Sequence, residues 1–215
     1  YHPTAEIEAT PADAGMQYED VWLTASDGTK LHGWFVPAGT RPPASLEPAV
    51  VLLCHGNAGN VSHRVDLLRL LGGAGLDVLI FDYRGFGRSE GKPTEEGTYL
   101  DAEAAWRHLT EARGVPPGRI VLHGRSLGGA VAARLAARHE AGALVVESAF
   151  TSMPDLAAEL YWFLPARWLC RFRYDTLAAI REARCPVLVI HGADDEMIGV
   201  EHGRRIFQAA REPKR

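Results

Sequence analysis

Continuous apolar runs alternate with stretches of helical spacing through most of the chain. Apolar runs predict strands buried on both faces of a sheet, and they occupy 49–54, 77–81, 120–123, 143–147 and 186–191. Apolar positions spaced three or four apart predict helices, and these fall at 62–71, 94–113, 127–139 and 201–211. Strands that alternate with helices predict an α/β fold with a mostly parallel sheet and helices on both faces.

The N-terminal region does not follow this alternation. Residues 1–18 are polar and lack a period, so the pattern predicts a mobile arm ahead of one domain at 19–215. Residues 21–24 and 31–36 flank Asp27 and Gly28, and an Asp-Gly pair between alternating segments predicts a β-hairpin. The Pro-rich stretch at 37–48 predicts a surface loop.

A second interruption, at 151–179, is rich in aromatic residues and predicts a small helical cap inserted between two strands. Two compatible interpretations stand. The aromatic side chains pack onto the body of the domain, or they form an apolar wall over an active site that receives an acyl group.

The amino-acid composition limits which classes of protein this chain can belong to. With 47% hydrophobic and 23% charged residues the chain is that of an ordinary globular domain. A net charge of −4 without a basic stripe argues against a nucleic-acid partner. Three cysteines without a C-x-x-C pair argue against a disulfide framework and a zinc site, so we expect no metal and no cofactor. No apolar window reaches the length of a membrane span, and no signal peptide is visible.

The strand at 120–123 runs directly into Gly124-Arg125-Ser126-Leu127-Gly128, which precedes a predicted helix. A G-x-S-x-G sequence between a strand and a helix is the pattern of a nucleophile elbow, with the serine strained at its tip. The glycines remove side chains where strand and helix approach each other. Ser126 is therefore the predicted nucleophile.

A serine nucleophile needs a base, an orienting carboxylate and two amide donors for the oxyanion. The first donor is the amide of Leu127, and the glycine-containing loop after the strand at 49–54 supplies the second, which we assign to Asn57. The acid follows a later strand, where Asp194 and Asp195 are both candidates and Glu147 is a weaker rival. His55 is expected to form hydrogen bonds within its own loop.

The chain resembles α/β-hydrolases of the Bem46-like group, which includes the human α/β-hydrolase domain proteins 13 and 17. The matching segments are HGNAGN at 55–60, FDYRGFGRSEGKPTEEG at 81–97, GRSLGG at 124–129, ESAFTS at 147–152 and HGADDEMIG at 191–199. The resemblance implies an α/β-hydrolase fold and selects Asp195 over Asp194. It also implies that Asp82 and Arg84 hold a structural turn, and Gly199 replaces the proline usual in the acid loop.

The resemblance further implies a serine hydrolase that cleaves esters or thioesters through an acyl-enzyme, with a small-molecule or acylated substrate. A peptidase-like activity is also compatible. Family members often carry an N-terminal membrane anchor, so the implied location is cytoplasmic or membrane-associated, with membrane proximity through a segment outside this chain.

No residue of this chain is assigned as the catalytic histidine. In the family it follows a further strand beyond the acid, and we expect it beyond Arg215, with the last strand and helix of the fold absent from these residues. His202 lies seven residues after Asp195 and is interpreted mainly as a surface residue at a helix start. The alternative to an enzyme is a non-catalytic hydrolase-fold binding protein or an inactive fragment.

Overall fold

A computed structural model describes residues 1–39 and 49–215. Most of the surface loop predicted at 37–48 lies outside the described residues.

The predicted alternation of strands and helices is present. The strands are β1 (His2–Pro3), β2 (Glu19–Thr24), β3 (Lys30–Val36), β4 (Val50–Cys54), β5 (Ala58–Gly59), β6 (Asp77–Phe81), β7 (Ile120–Arg125), β8 (Ala143–Glu147) and β9 (Val187–Ile190). The α-helices are α1 (Val65–Gly73), α2 (Glu95–Arg107), α3 (Leu127–Ala136), α4 (Met153–Leu160), α5 (Ala166–Leu169), α6 (Thr176–Glu182) and α7 (Val200–Ala209). Short 3-10 turns lie at Pro11–Ala14, Val61–Arg64 and Pro117–Arg119, and a π turn at His108–Ala112 extends α2.

Seven strands form one sheet in the order β2-β3-β6-β4-β7-β8-β9. The β2–β3 and β3–β6 pairs are antiparallel, and the remaining pairs are parallel. The β2–β3 hairpin and the mostly parallel sheet confirm the predicted fold. Because parallel strands end at the same edge, the segments that follow β4, β7, β8 and β9 meet there.

Side chains of the sheet alternate between two buried clusters. Leu52 of β4 belongs to the larger cluster, which includes residues of α2, α3 and α6. Its neighbours Val51 and Leu53 face the other cluster, with Leu68 of α1. The small residues of α3 allow this helix to be almost entirely buried directly behind the predicted nucleophile. The core therefore supports the functional edge from below.

The edge of the sheet at β9 is paired with residues from the end of the chain. The Val187 N–H donates to the Pro213 carbonyl, the Arg215 N–H donates to the Val187 carbonyl, and the Val189 N–H donates to the Arg215 carbonyl. This contact is an isolated parallel bridge between Val187 and Lys214, and no strand follows α7 in the described residues. Its physical reason is that an edge strand otherwise presents unpaired backbone groups.

The N-terminal arm is fixed to the body, which corrects the predicted mobility of residues 1–18. Strand β1 pairs in parallel with β5, in the loop after β4. The Asn60 side-chain amide donates to the carbonyls of Thr4 and Glu6 at 3.1 and 2.6 Å. The Tyr1 hydroxyl lies 2.6 Å from the hydroxyl of Tyr174. Polar side chains that suggested a solvated arm instead pair with the loop that they cross.

The turn after β6 is held by charged groups, as predicted for Asp82 and Arg84. Asp82 accepts a hydrogen bond from the Val61 N–H at 2.9 Å. The Arg84 guanidinium donates to Asp101 of α2 at 2.8 Å and to Asp27 in the hairpin at 2.7 Å. The Asp101 side chain is fully buried. One arginine thus joins the hairpin, the sheet and α2.

The pair of Asp27 with Arg84 predicts a stabilising contribution that is lost in acid. The hydrogen bond from Arg84 lowers the pKa of Asp27 to about 2, below the value of about 3.9 in an unfolded chain. A lowered folded-state pKa stabilises the fold above the unfolded value, and this contribution disappears as pH falls from about 4 towards about 2. We therefore expect the difference in unfolding free energy between wild type and Asp27→Asn to be constant above about pH 5 and to shrink below about pH 4. Urea unfolding across this range measures it, and a constant difference down to about pH 2 would contradict the prediction.

Candidate active site

Ser126 lies at the tip of a tight turn between β7 and α3, with φ 54° and ψ −119°. A non-glycine residue in this region is strained and persists only where the surroundings fix it. A Cβ built on Gly128 would collide with the carbonyl of Cys54, and one on Gly124 would collide with the carbonyl of Gly128. Strand and helix therefore approach closely enough to present Ser126 at the sheet edge, in the geometry of a nucleophile elbow.

This close approach predicts that Gly128→Ala is strongly destabilising. The added methyl group would meet backbone atoms, which cannot rotate away, so we expect a loss of about 3 kcal/mol in unfolding free energy. Gly118→Ala is the matched control because a Cβ there has no neighbour within 4 Å. Chemical denaturation of both variants measures the effect, and equal stabilities would show that the elbow is not tightly packed.

The oxyanion candidates lie on either side of Ser126. Leu127 is the first residue of α3, where backbone N–H groups have no partner within the helix. Across from it, a Cβ on Gly56 would lie 3.6 Å from Cβ of Ser126, which places the loop after β4 against the nucleophile. Asn57 follows in this loop, and its carbonyl accepts a hydrogen bond from the His2 N–H at 3.1 Å. Strand β1 therefore braces the predicted donor loop.

His55 is buried beneath that loop. Its Nδ1 lies 2.8 Å from the Gly56 carbonyl oxygen, and its ring packs 4.6 Å from the ring of Tyr83. The Tyr83 hydroxyl donates to the His55 carbonyl. These contacts confirm that His55 forms hydrogen bonds within its loop, and they give it a structural role.

Asp195 lies in the loop after β9, half-buried. Its Oδ1 accepts hydrogen bonds from the N–H groups of Ile198 at 2.9 Å and Met197 at 3.0 Å. The hydrogen bond from Ile198, with further contributions from Met197, His191 and Ser148, lowers the pKa of Asp195 below its usual value. The carboxylate is thus held ionised, as an orienting acid requires.

The two rival acids have other environments. Asp194 is exposed to solvent. Glu147 at the end of β8 lies 3.0 Å from Nε2 of His123, and this hydrogen bond lowers the pKa of Glu147. Asp195 therefore remains the acid that the family resemblance selects.

Ser148 lies between the nucleophile and the acid, and the sequence assigned it no role. The Ser126 N–H donates to the carbonyl of Glu147, and the next residue, Ser148, has φ 43° and contacts the carboxylate of Asp195. His191 Nε2 lies 2.7 Å from the Ile198 carbonyl oxygen, on the loop that holds Asp195. From the sequence these residues could be placed only at the ends of strands. Their roles could not be predicted, because the roles depend on which strands are neighbours in the sheet.

The histidine rings contact groups other than the Ser126 hydroxyl. Among the described residues, no hydrogen bond joins the Ser126 hydroxyl to a histidine ring. Ring partners are Asp20 for His32, Gly56 for His55, Asn60 for His63, Arg113 for His108, Glu147 for His123, Glu103 for His139, Ile198 for His191, and Thr151 with Glu159 for His202. No base for Ser126 is therefore identified in the described part of the chain.

His202 is buried, which corrects its interpretation as a surface residue. The Thr151 N–H donates to its Nδ1 at 3.1 Å, so Nε2 carries the proton that faces Glu159 at 2.9 Å. His202 therefore joins α7 to Thr151, just before α4, and to Glu159, near the end of α4. Its contacts are those of a structural residue and not of a base.

The predicted cap consists of α4, α5 and the segments around them. Leu156 and Tyr174 are buried, so part of the cap packs on the body. The large side chains between them are exposed: Leu160, Tyr161, Trp162, Phe163, Leu164, Trp168, Leu169 and Phe172. Packing onto the body therefore does not account for most of the aromatic residues in the insertion.

Residues 1–39 and 49–215 contain neither a candidate metal site nor a candidate membrane span. No group of three or more His, Cys, Asp or Glu side chains there is arranged to hold a metal ion. No helix in the same residues has both the length and the apolar character needed to cross a bilayer.

Known proteins are similar to this chain in sequence and in fold. Residues 49–179 match the family described as alpha/beta hydrolase fold. An uncharacterized protein of Mycobacterium tuberculosis is 40% identical over 217 residues, which span 100% of this chain and 75% of that protein. The alpha/beta hydrolase domain-containing protein WAV2 of Arabidopsis thaliana is 37% identical, over 95% of this chain and 71% of its own.

The Pyrococcus furiosus esterase Pf2001 has a similar structure, with a TM-score of 0.76 and 26% identity. The alignment covers 97% of this chain and 82% of the esterase. The fold, together with this esterase neighbour, supports a hydrolase.

Proposed function

The chain belongs to the alpha/beta hydrolase fold family, and we propose that it is a serine hydrolase that cleaves carboxylic esters or thioesters through an acyl-enzyme on Ser126. The observation that carries the proposal is the strained conformation of Ser126 between two amide-bearing segments. A strained backbone at a partly exposed serine between a strand and a helix is typical of a functional residue.

In the proposed reaction, the Ser126 hydroxyl oxygen attacks the carbonyl carbon while its proton passes to a histidine. The amides of Leu127 and Asn57 stabilise the oxyanion, each by about 3 kcal/mol. The carbon–oxygen or carbon–sulfur bond then breaks, and the histidine returns the proton to the departing alkoxide or thiolate. Water, deprotonated by the same histidine, hydrolyses the acyl-enzyme and regenerates Ser126.

Asp195 orients the histidine in this scheme, and its ionised state suits that role. We assign the base to a histidine outside residues 1–215, because no histidine ring in the described residues is hydrogen-bonded to the Ser126 hydroxyl. Bem46-like membership is part of the same proposal and rests on the motifs around 55–60, 124–129 and 191–199. A peptidase-like activity uses the same groups and differs only in the leaving group.

Covalent labelling tests the assignment. The full-length protein treated with a fluorophosphonate is expected to gain one label, located on Ser126 by peptide mass spectrometry, because such reagents trap activated serines. Ser126→Ala is expected to remain unlabelled, and Ser26→Ala, which alters an exposed loop serine, to label normally. Absence of label from folded full-length wild type would contradict the enzyme and favour the second candidate.

That second candidate is a non-catalytic binding protein with this fold. The contacts of the histidine rings favour it, since none reaches Ser126 within the described residues. The retention of a strained serine and an ionised Asp195 argues for the enzyme. Intact mass of the full-length protein, followed by labelling, separates the two: a binding protein has no activated serine whatever its length.

A further inference from the structure

We propose that the exposed aromatic part of the cap docks on an anionic lipid membrane. We call residues 160–173 the cap patch; it contains the short helix α5 and the segments on either side of it. Trp162 and Trp168 are 82% and 89% exposed, and Phe163 and Leu169 are 65% and 67% exposed. Contiguous apolar exposure of this kind marks an interaction surface in globular proteins.

The positive charge of the cap patch indicates what kind of surface it binds. The patch contains three arginines and no Asp or Glu, so it contributes +3 to a chain of net charge −4 and leaves −7 for the other residues. Arg167 is paired with Asp155 at 2.6 Å. Within the described residues, no carboxylate lies within ion-pair distance of the Arg171 or Arg173 side chains. A basic patch on an acidic protein is complementary to anionic headgroups.

Nearby carboxylates are committed to the protein. Glu95 accepts hydrogen bonds from the N–H groups of Arg173 and Tyr174 at 2.6 and 2.7 Å. Asp175 caps α6 through the Ala178 N–H. The acids at the base of the patch therefore hold its backbone, and the two arginine side chains remain available for a ligand.

The mixture of side chains favours a membrane over a protein partner. Tryptophan and tyrosine settle at the level of lipid headgroups, apolar side chains enter the acyl boundary, and arginine reaches the phosphates. In the cap patch the two exposed tryptophans lie in the same segment as the exposed Arg171 and Arg173, so aromatic and basic side chains are presented together. A pocket of about 280 Å³ beside the patch is lined by Arg167, Trp168 and Arg173, together with Ser152, Pro154 and Asp175.

The cap is connected to the sheet at the edge where Ser126 lies. Strand β8 ends at Glu147, whose carbonyl accepts the Ser126 N–H, and α4 begins at Met153. Docking of the cap patch would therefore bring the proposed nucleophile towards the lipid surface. Membrane binding itself does not require catalysis, so Ser126→Ala is expected to bind vesicles like wild type.

Vesicle co-sedimentation of the full-length protein tests the proposal. At low salt we expect at least about tenfold more binding to vesicles of phosphatidylcholine mixed with phosphatidylserine than to phosphatidylcholine alone, and this difference should fall as salt rises. The double variant Trp162→Ser/Trp168→Ser is expected to lose at least about tenfold of the binding. Trp22→Ser is the matched control, because Trp22 is 58% exposed on β2, outside the cap.

Charge is tested separately with Arg171→Glu/Arg173→Glu, which is expected to abolish the preference for anionic vesicles. Arg138→Glu is its control, since that side chain is 60% exposed on another face. Thermal unfolding of each variant should match wild type because all these side chains are exposed. Vesicle binding that is equal in the cap variants and their controls overturns the proposal, as does a dimer that the Trp162/Trp168 variant converts to a monomer, which would identify a second copy as the occupant.

Discussion

Replacing Ser126 by alanine is expected to lower kcat for hydrolysis of a short p-nitrophenyl ester by at least about 10⁴-fold in the full-length protein. The reason is that the acyl-enzyme needs the hydroxyl oxygen, and the remaining oxyanion donors give only residual catalysis. Steady-state kinetics of wild type, Ser126→Ala and the loop control Ser26→Ala measure the effect. Turnover retained in Ser126→Ala would reject Ser126 as the nucleophile.

The backbone at this position offers a second readout. Because φ 54° is strained for any residue with a Cβ, Ser126→Gly is expected to be inactive but more stable, by about 1 kcal/mol in unfolding free energy. Activity and stability should then change in opposite directions at one position. A Ser126→Gly variant that is both inactive and less stable would indicate that the serine side chain serves the fold.

Replacing Arg84 by methionine is expected to cause the largest loss of stability among single side-chain changes in the turn after β6. The guanidinium donates to Asp101 at 2.8 and 3.0 Å, and the two side chains are 10% and 0% exposed. Removing one partner leaves a buried carboxylate without its counter-charge, at a cost of about 3–5 kcal/mol. For a chain of this size the midpoint of thermal unfolding should fall by roughly 10 °C.

Two variants isolate the buried charge as the cause. Arg84→Met combined with Asp101→Asn removes the uncompensated carboxylate and should recover part of the loss. Arg204→Met removes an exposed arginine that lies 3.4 Å from Glu201, and it should cost less than about 1 kcal/mol. If Arg84→Met is no worse than Arg204→Met, the buried pair does not stabilise this fold.

Several elements could be predicted from the chain because their signals are local. The elbow at Ser126 combines an apolar strand, two glycines and a helix within a few residues, and the structure places strand, turn and helix there. The hairpin around Asp27 and Gly28 is predicted from an Asp-Gly pair between two alternating segments. Asp195 was reached only with the family resemblance, because spacing after a strand does not distinguish it from Asp194.

Other features could not be read from the chain because their partners are remote. Residues 1–18 have no period of their own, and their order comes from pairing with Ala58 and Gly59 and from the amide of Asn60. His202 looked like a surface residue at the start of a helix. It is buried because Thr151, 51 positions earlier, packs against it.

The sequence by itself determined the alternation of strands and helices and the nucleophile turn. It also placed Ser126 at the carboxyl end of a strand. These features could be predicted because hydrophobic period and glycine placement act over short distances. Only the tertiary structure decided which strands are neighbours, and with them the contact of Ser148 with Asp195 and the partner of each histidine ring. It also decided that the cap patch remains exposed. A sequence records which side chains are apolar, but whether they are covered depends on which distant surfaces fold against them.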